Sequence, residues 1–307
     1  MKMNIKLLVW NTLYKWYVKL FQERDKRLLK YKTAICLIFK NEAPFLKEWI
    51  EFHHLIGIEH FYLYNNNSTD NYKEILVPYI NIGLVTLVDW PQDHSQRQAY
   101  HNAWDRFKHE CNWMCFLDAD EFICLKKYRN INEWLEKFSK FPSVHIYWKM
   151  FGTSGVVHHD FDKLVIEQYT SCWDNLFYHG KNFINTRFEV ANWDFIGVHH
   201  NPSCWYYMFG KKVRMNSIGS DGYIEAPNLY WQKDGKKSKD IQINHYFCKS
   251  WDLYAIKMKR TDVAYEQEKA PAHNMNSYFY DQEEKCVSKD YTIQRYLIRL
   301  KNKLGKL

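Results

Sequence analysis

The stretch TAICLIF, Thr33–Phe39, is an unbroken apolar run of strand length that stops at Lys40, Asn41 and Glu42. A run of that length with no polar alternation reads as a strand buried on both faces. The residues after it, KNEAPFLKEWIEFHHLIG, change period. Leu46, Trp49, Ile50 and His53 fall on one helical face, Pro44 sits in the first turn and Gly57 supplies the stop. The alternation continues outward. Ile58–Tyr64 is a second strand, Asn65–Asp70 (NNNSTD) a turn cluster, and Asn71–Ile80 a short helix. Gly83–Asp89 is a third strand, Ser95–Phe107 a helix, and Trp113–Leu117 a fourth strand. Strands separated by helices at this spacing predict an α/β fold with a doubly wound, mostly parallel sheet.

Ligands of such sheets bind beyond the carboxyl ends of the strands. Here those ends carry Lys40-Asn41-Glu42, the Asn65–Asp70 cluster, Asp89, and finally Asp118-Ala119-Asp120-Glu121. Polar residues therefore collect on one rim. Neither a Gly-x-Gly-x-x-Gly nor a P-loop pattern occurs in this half, which disfavours the usual dinucleotide and P-loop nucleotide sites. After residue 140 the pattern loosens into strand-like pieces, Val144–Trp148 and Leu164–Ile166, among Gly-, Asn- and Trp-rich loops. One domain with an irregular second half is the simplest organisation.

Asp118 and Asp120 lie two apart at a strand end, so an extended backbone would point both carboxylates the same way. Two such groups repel unless a cation intervenes. Oxygen ligands suit Mg2+ or Mn2+, which retain waters and accept phosphate oxygens. The alternative is a solvated strand-to-loop turn.

Taken in order, AICLIFKNE, YNNNSTD and WMCFLDADEF resemble the nucleotide-sugar glycosyltransferases of the GT-A fold, in the family-2-like group that includes glycosyltransferase family 92. Phe151–Gly155 (FGTSG), Lys181 through His200, and Asn244–Ser250 (NHYFCKS) extend the likeness over roughly 33–260. The resemblance implies a GT-A-like (Rossmann-like) sheet with an acceptor-side second half, and Mn2+ or Mg2+ as cofactor. It also implies a nucleotide diphosphate donor, a UDP-sugar, and a glycan or lipid-linked acceptor such as a surface polysaccharide or lipopolysaccharide. Asn41, Glu42 and Asn66 would lie near the nucleoside, with Asp70 supporting the turn. Asp118 would contact ribose or metal, and Asp120 and His245 would hold the metal. Arg97 and Lys249 would neutralise phosphate, and His199 and His200 would face the acceptor. Many family-2 members carry Asp where Asn66 stands, so base recognition here must use an amide. An inverting transfer needs a carboxylate base; Glu121, Asp160, Glu167 and Asp221 are candidates, with Glu167 preferred because it follows the FGTSG segment. The His53–His54 and His158–His159 pairs read as core or surface histidines, and the run 233–240 as a solvated turn. The tryptophans at 148, 173, 193 and 205 are core by default and sugar-stacking candidates second.

The net charge of +8 is concentrated at the ends. Residues 1–32 carry nine Lys/Arg against Glu23 and Asp25, and residues 292–307 five Lys/Arg with no acid. The body between them is mildly acidic, so no basic groove for nucleic acid is evident. A non-enzymatic nucleic-acid binder is thereby disfavoured, and a phosphohydrolase would need ligands for a second metal. Apolar residues between Ile5 and Leu20 recur at helical spacing among lysines, which fits either a helix lying on an anionic membrane or one docked on its own domain. The expected layout is a basic segment 1–32, a catalytic domain 33–285 and a basic tail 286–307, peripheral on the inner face of a membrane. Eight cysteines without a Cys-x-x-Cys pair, several inside apolar runs, read as reduced thiols in the cytoplasm.

Overall fold

The computed structural model describes residues 5–192, 202–223, 238–259 and 276–307, with side chains of the first helix from Thr12 onward. The chain opens with α1 (Ile5–Phe21), β1 (Tyr31–Phe39), α2 (Ala43–Leu55), β2 (His60–Asn65), α3 (Tyr72–Asn81), β3 (Val85–Asp89), α4 (Gln96–Phe107) and β4 (Cys111–Phe116). It continues through β5 (Glu121–Leu125), α5 (Ile131–Leu135), β6 (Ser143–Met150), α6 (Val165–Gln168), β7 (Ser171–Cys172) and β8 (Phe177–Asn185). A hairpin follows, β9 (Ser203–Met208) and β10 (Lys211–Asn216), then β11 (Ile218–Gly219) and β12 (Ile241–His245). The described remainder is α7 (Trp251–Lys259), α8 (Asn276–Glu284), β13 (Ser288–Lys289) and α9 (Leu297–Leu304).

The main sheet has the order β3-β2-β1-β4-β8-β6-β12-β5, with β11 also beside β6. β3, β2, β1 and β4 are mutually parallel, as are β6 and β12, while β8 and β5 run against their neighbours. The mostly parallel, doubly wound sheet expected from the alternation is present. Alternate residues of β1 show the winding. Ile35, Leu37 and Phe39 join the core that includes Leu46, Trp49 and Ile50 of α2 and Leu76 of α3. Ala34, Cys36 and Ile38 join Ala99, Tyr100, Ala103 and Trp104 of α4 on the other face.

Helix α2 begins where expected because Pro44 occupies its first turn and the Glu42 carbonyl accepts the Phe45 and Leu46 amides. It ends at Gly57, whose φ of +102° needs a residue without a Cβ. Leu164–Ile166 is not a strand: Leu164 caps the short helix α6. A three-residue apolar run cannot distinguish the two periods, and here the buried Glu48 of α2 decides by accepting the Val165 and Ile166 amides. Helix α1 docks on the domain. Tyr14 and Val18 are buried with Tyr206, Met208 and Met215 of the β9–β10 hairpin. At the other end α9 places Leu300 in the main core beside α2. All eight cysteines are unpaired and seven are buried.

Two expectations test this frame. Gly180 lies where β6 and β8 approach most closely, and a Cβ there would run into the Ile146 carbonyl oxygen. Gly180→Ala should therefore lower stability by about 3 kcal/mol or more, measured by urea unfolding. Burial raises the Glu48 carboxyl from 4.5 to about 7, against the two amide bonds and the nearby Lys306 and Lys249. The folded state then holds a proton that the unfolded state has released. Stability should fall as pH rises from about 4.5 to 7, by about 3 kcal/mol, and level off above. In Glu48→Gln, which keeps one of the two acceptor oxygens and cannot ionise, that component of the pH profile should vanish, although overall stability falls with the lost amide bond.

Candidate active site

The parallel pairings align the carboxyl ends of β1, β2, β3 and β4 on one rim. Two antiparallel steps through β8 turn β6 back to the direction of β4, and β12 follows β6. The carboxyl ends of β6 and β12 and the amino ends of β5 and β8 thus share that rim. The chain reverses its winding between β1 and β4, where open α/β sheets form their ligand crevice. Backbone conformation marks the same edge. Asn41, Asn67, His94, Ser154 and Lys249 all adopt positive φ, and each stands in a loop that follows β1, β2, β3, β6 or β12.

Asp118-Ala119-Asp120-Glu121 forms a tight turn between β4 and β5 rather than an extended strand end. The Glu121 amide donates to the Asp118 carbonyl, and the Asp118 amide donates to Glu121 Oε2 at 3.2 Å. Trp49 Nε1 on α2 donates to the carbonyls of Asp118 and Glu121. The Tyr246 amide, just past β12, donates to the Asp120 carbonyl. The expectation that both carboxylates project together does not hold, because the turn sends them to different cations. Asp118 Oδ2 is 2.7 Å from Lys181 Nζ of β8, and Asp120 Oδ2 is 2.9 Å from Lys257 Nζ of α7.

Three acids and two lysines share this space, and burial makes their balance strict. Burial alone would raise the Asp120 carboxyl, but Lys257 and His245 hold it well below the usual range. Glu121 goes the other way. It is fully buried and repelled by Asp118 and Asp120, so its carboxyl is raised well above 4.5 despite Lys181 at 3.8 Å. Lys181, with a side chain only 2% exposed, is disfavoured as a cation by burial yet raised by Asp118 and Glu121. Lys257 is similarly opposed by burial and raised by Asp120.

His245 Nε2 lies 3.6 Å from Asp120 Oδ1, the oxygen that Lys257 does not take. Two ligands each about 2.1 Å from one ion can be at most about 4.2 Å apart, so this pair fits a single divalent cation. Asp118 Oδ1 has only long contacts, 3.4 Å to the Tyr100 hydroxyl and 3.5 Å to Gln96 Nε2. Among the described residues no cluster of three or more His, Cys, Asp or Glu converges on one point. The protein's own ligands for an ion would thus be Asp120 and His245, with the remaining positions left to donor and water oxygens.

The other expected residues divide clearly. Asn41 ties the first two rim loops together: its amide donates to Ser68 Oγ and its Oδ1 accepts the Thr69 amide. Asp70 accepts the Ala43 amide, which supports the turn. Asn66 donates to the Trp90 and Gln92 carbonyls while its buried Oδ1 has no partner among the described residues. Glu42 caps α2 and acts electrostatically on Lys257. Lys249 is buried in a left-handed conformation, with Nζ 4.4 Å from the Phe45 ring centre and no ion pair to a described residue. Arg97 is exposed in the first turn of α4. His199, His200 and Trp193 lie outside the described residues, as does most of the run 233–240.

Glu167 is not part of the cluster. It pairs with Lys301 of α9 at 2.7 Å, and its second oxygen caps the Leu164 amide at 3.4 Å. Those bonds fasten α6 to the C-terminal helix, so the preference for Glu167 as base is not supported by its surroundings. Asp160 binds Lys163, and Asp221 acts on Lys15 of α1. His53 is a neutral core histidine, lowered by burial to about 3, and His159 bonds the Tyr169 hydroxyl at 2.6 Å. Lys249 was expected at the site, but Lys181 and Lys257, the partners of the acidic turn, were assigned no role from the sequence. Lys181 did leave a signal: a lysine amid a buried strand needs a counter-charge. Lys257, on an ordinary-looking helix, left none.

If Lys181 balances Asp118 and Glu121, its removal leaves the buried Glu121 and the half-buried Asp118 without their shared cation. Lys181→Met should lower stability by about 3–5 kcal/mol near neutral pH, and by less at about pH 5, where Glu121 binds a proton more readily; chemical denaturation at both pH values measures the difference.

Residues 31–216 match glycosyltransferase family 92. A glycosyltransferase family 92 protein of Arabidopsis thaliana is 34% identical over 111 residues, which are 36% of this chain and 19% of that protein. Galactan beta-1,4-galactosyltransferase GALS2 of the same plant is 30% identical over 138 residues, 40% of this chain and 27% of that protein. The alignments therefore span about a fifth to a quarter of these relatives' lengths. Among solved structures, S. aureus TarS in complex with UDP aligns over 50% of this chain and 47% of its own, at 14% identity and a TM-score of 0.35. With the family match covering β1 through β10, the acidic turn and Lys181, more than half of the chain, this chain belongs to glycosyltransferase family 92.

Proposed function

We propose that this protein transfers a sugar from a nucleotide diphosphate donor, a UDP-sugar, to a glycan acceptor with the help of Mn2+ or Mg2+. One observation carries the proposal. A buried cation, Lys249, stands at the rim near enough to Asp120 and Glu48 to lower both carboxyls, yet makes no direct ion pair with a described residue. A diphosphate oxygen would supply a direct anionic partner. As the sugar–phosphate bond breaks, charge builds on the leaving phosphate, and a fixed cation in a dry site stabilises that charge without reorganising. Lys257, already on Asp120, adds a second cation on the same side.

Asp120 and His245 are the residues proposed to hold the divalent ion, which when bound would polarise the diphosphate and favour its departure. Asn66 Oδ1, buried without a partner among the described residues, suits a donating base N–H such as that of uracil. The NH2 group of Asn66 is committed to the loop after β3, so this carbonyl oxygen is what the residue has to offer. The likeness to a galactan galactosyltransferase favours a hexose as the transferred sugar. An inverting reaction also needs a carboxylate to take the acceptor proton. Glu167 and Asp160 are engaged with lysines, and we assign that role to neither. A two-metal phosphohydrolase would need further ligand clusters, and the described residues provide none.

Titration calorimetry with UDP tests the proposal. Affinity should rise at least tenfold when Mn2+ is added. Asp120→Asn should abolish that metal effect, and Lys249→Met should weaken UDP about tenfold or more with or without metal. Failure of UDP, GDP and ADP alike to bind the folded protein, with and without Mn2+, would overturn it.

A further inference from the structure

The docking of α1 uses only part of its apolar surface. Tyr14 and Val18 face the β9–β10 hairpin, whereas Leu13, Trp16 and Leu20 lie one helical side away and are 46%, 55% and 55% exposed. The hairpin extends that apolar strip. The ring of Phe209, at its turn, lies 4.7 Å from Tyr17, Tyr17 lies 5.0 Å from Phe21, and Phe21 lies 6.1 Å from Trp16. The Phe209 amide also donates to the Tyr17 hydroxyl. Phe209 itself is 66% exposed and in a left-handed conformation. Two elements nearly 200 residues apart thus present one continuous apolar and aromatic surface to solvent.

Its surroundings are basic. Residues 203–216 contain Lys211, Lys212 and Arg214 and no acid, although Lys212 meets Glu189 at 3.0 Å and Arg214 donates to the Ala191 carbonyl, and residues 1–32 carry nine Lys/Arg against two acids. On α1, Lys19 is exposed beside Trp16 at the edge of the apolar side, whereas Lys15 lies over the Tyr223 ring and near Asp221. Apolar rings in the centre with cations at the edge complement the headgroup region of an anionic bilayer. There indole and phenyl groups sit at interface depth and each nearby lysine is attracted to the surface. The lysines of the C-terminal helix are engaged within the domain. Lys301 and Lys303 pair with Glu167 and Glu51, and Lys306 donates to the Phe161 carbonyl.

We propose that the outer face of α1 and the tip of the β9–β10 hairpin form a single docking surface for an anionic lipid bilayer. The partner is the lipid surface itself and not the sugar acceptor, so this proposal stands apart from the transfer reaction. The hairpin is as much a part of it as the helix. Deletion of α1 would uncover Tyr206, Met208 and Met215 and is therefore an unsuitable test. Exposed side chains can be exchanged without touching that contact.

The experiment is co-sedimentation of the full chain with vesicles of phosphatidylcholine alone, and of phosphatidylcholine with about a quarter phosphatidylglycerol. The protein should pellet with the anionic vesicles, and less so as salt rises. Trp16→Glu and Phe209→Glu should each weaken binding about tenfold or more, with unchanged melting temperature and unchanged UDP affinity. Phe209→Trp should retain binding. Overturning results are a wild-type protein that stays in solution with both vesicles, or a Phe209→Glu variant that pellets as the wild type does. A lipid-free dimer that Trp16→Glu dissociates would also overturn the proposal, assigning the face to a second copy. Because vesicle binding needs neither donor nor metal, its failure leaves the transferase proposal intact.

Discussion

The structure turns on charge balance at one buried turn. Asp118, Asp120 and Glu121 stand within four residues, at the point where β4 gives way to β5, and none could be held there without positive partners. Lys181 comes from β8 and Lys257 from α7, one inserted between β4 and β6 and the other following β12. The antiparallel strand β8 is thus more than a filler in an otherwise parallel sheet. Its Lys181 lies 2.7 Å from Asp118 and 3.8 Å from Glu121. The close approach at Gly180 positions the residue directly before that lysine.

Much of this was legible in the chain's period and punctuation. The run Thr33–Phe39, with Pro44 and Gly57 around the next helix, defines the first βα unit, and three more strands follow at the same rhythm. What the sequence could not reveal are features decided by residues far apart. The turn at Asp118 reads as an extended strand end until Trp49 and Tyr246 are seen clamping its carbonyls. Glu167 follows a motif at a plausible distance, but a lysine 134 positions away claims it. Leu164–Ile166 looks like strand or helix until Glu48 supplies an acceptor for its amides. The choice between a docked and a membrane-bound first helix was likewise open from its period alone. Tyr14 and Val18 show that it docks, and the remaining apolar side shows that docking does not exhaust it.

The two rim asparagines stand where a ligand would be met but differ in chemistry. Asn41 and Asn66 do stand beyond the first and second strands. Asn41 is taken up in joining two loops, whereas Asn66 keeps one oxygen in reserve. Side chains that look equivalent in a list of polar positions thus differ in what they have left to give a ligand.

The left-handed backbone at Asn41, Asn67, His94, Ser154 and Lys249 has a consequence for how this protein can change. Each such residue holds roughly 1–2 kcal/mol of conformational energy that glycine would release. Selection for heat resistance alone would therefore drift toward glycine along this edge, loosening the loops that shape the crevice. Tolerance of heat and fidelity of the crevice pull in opposite directions along the same few peptide units.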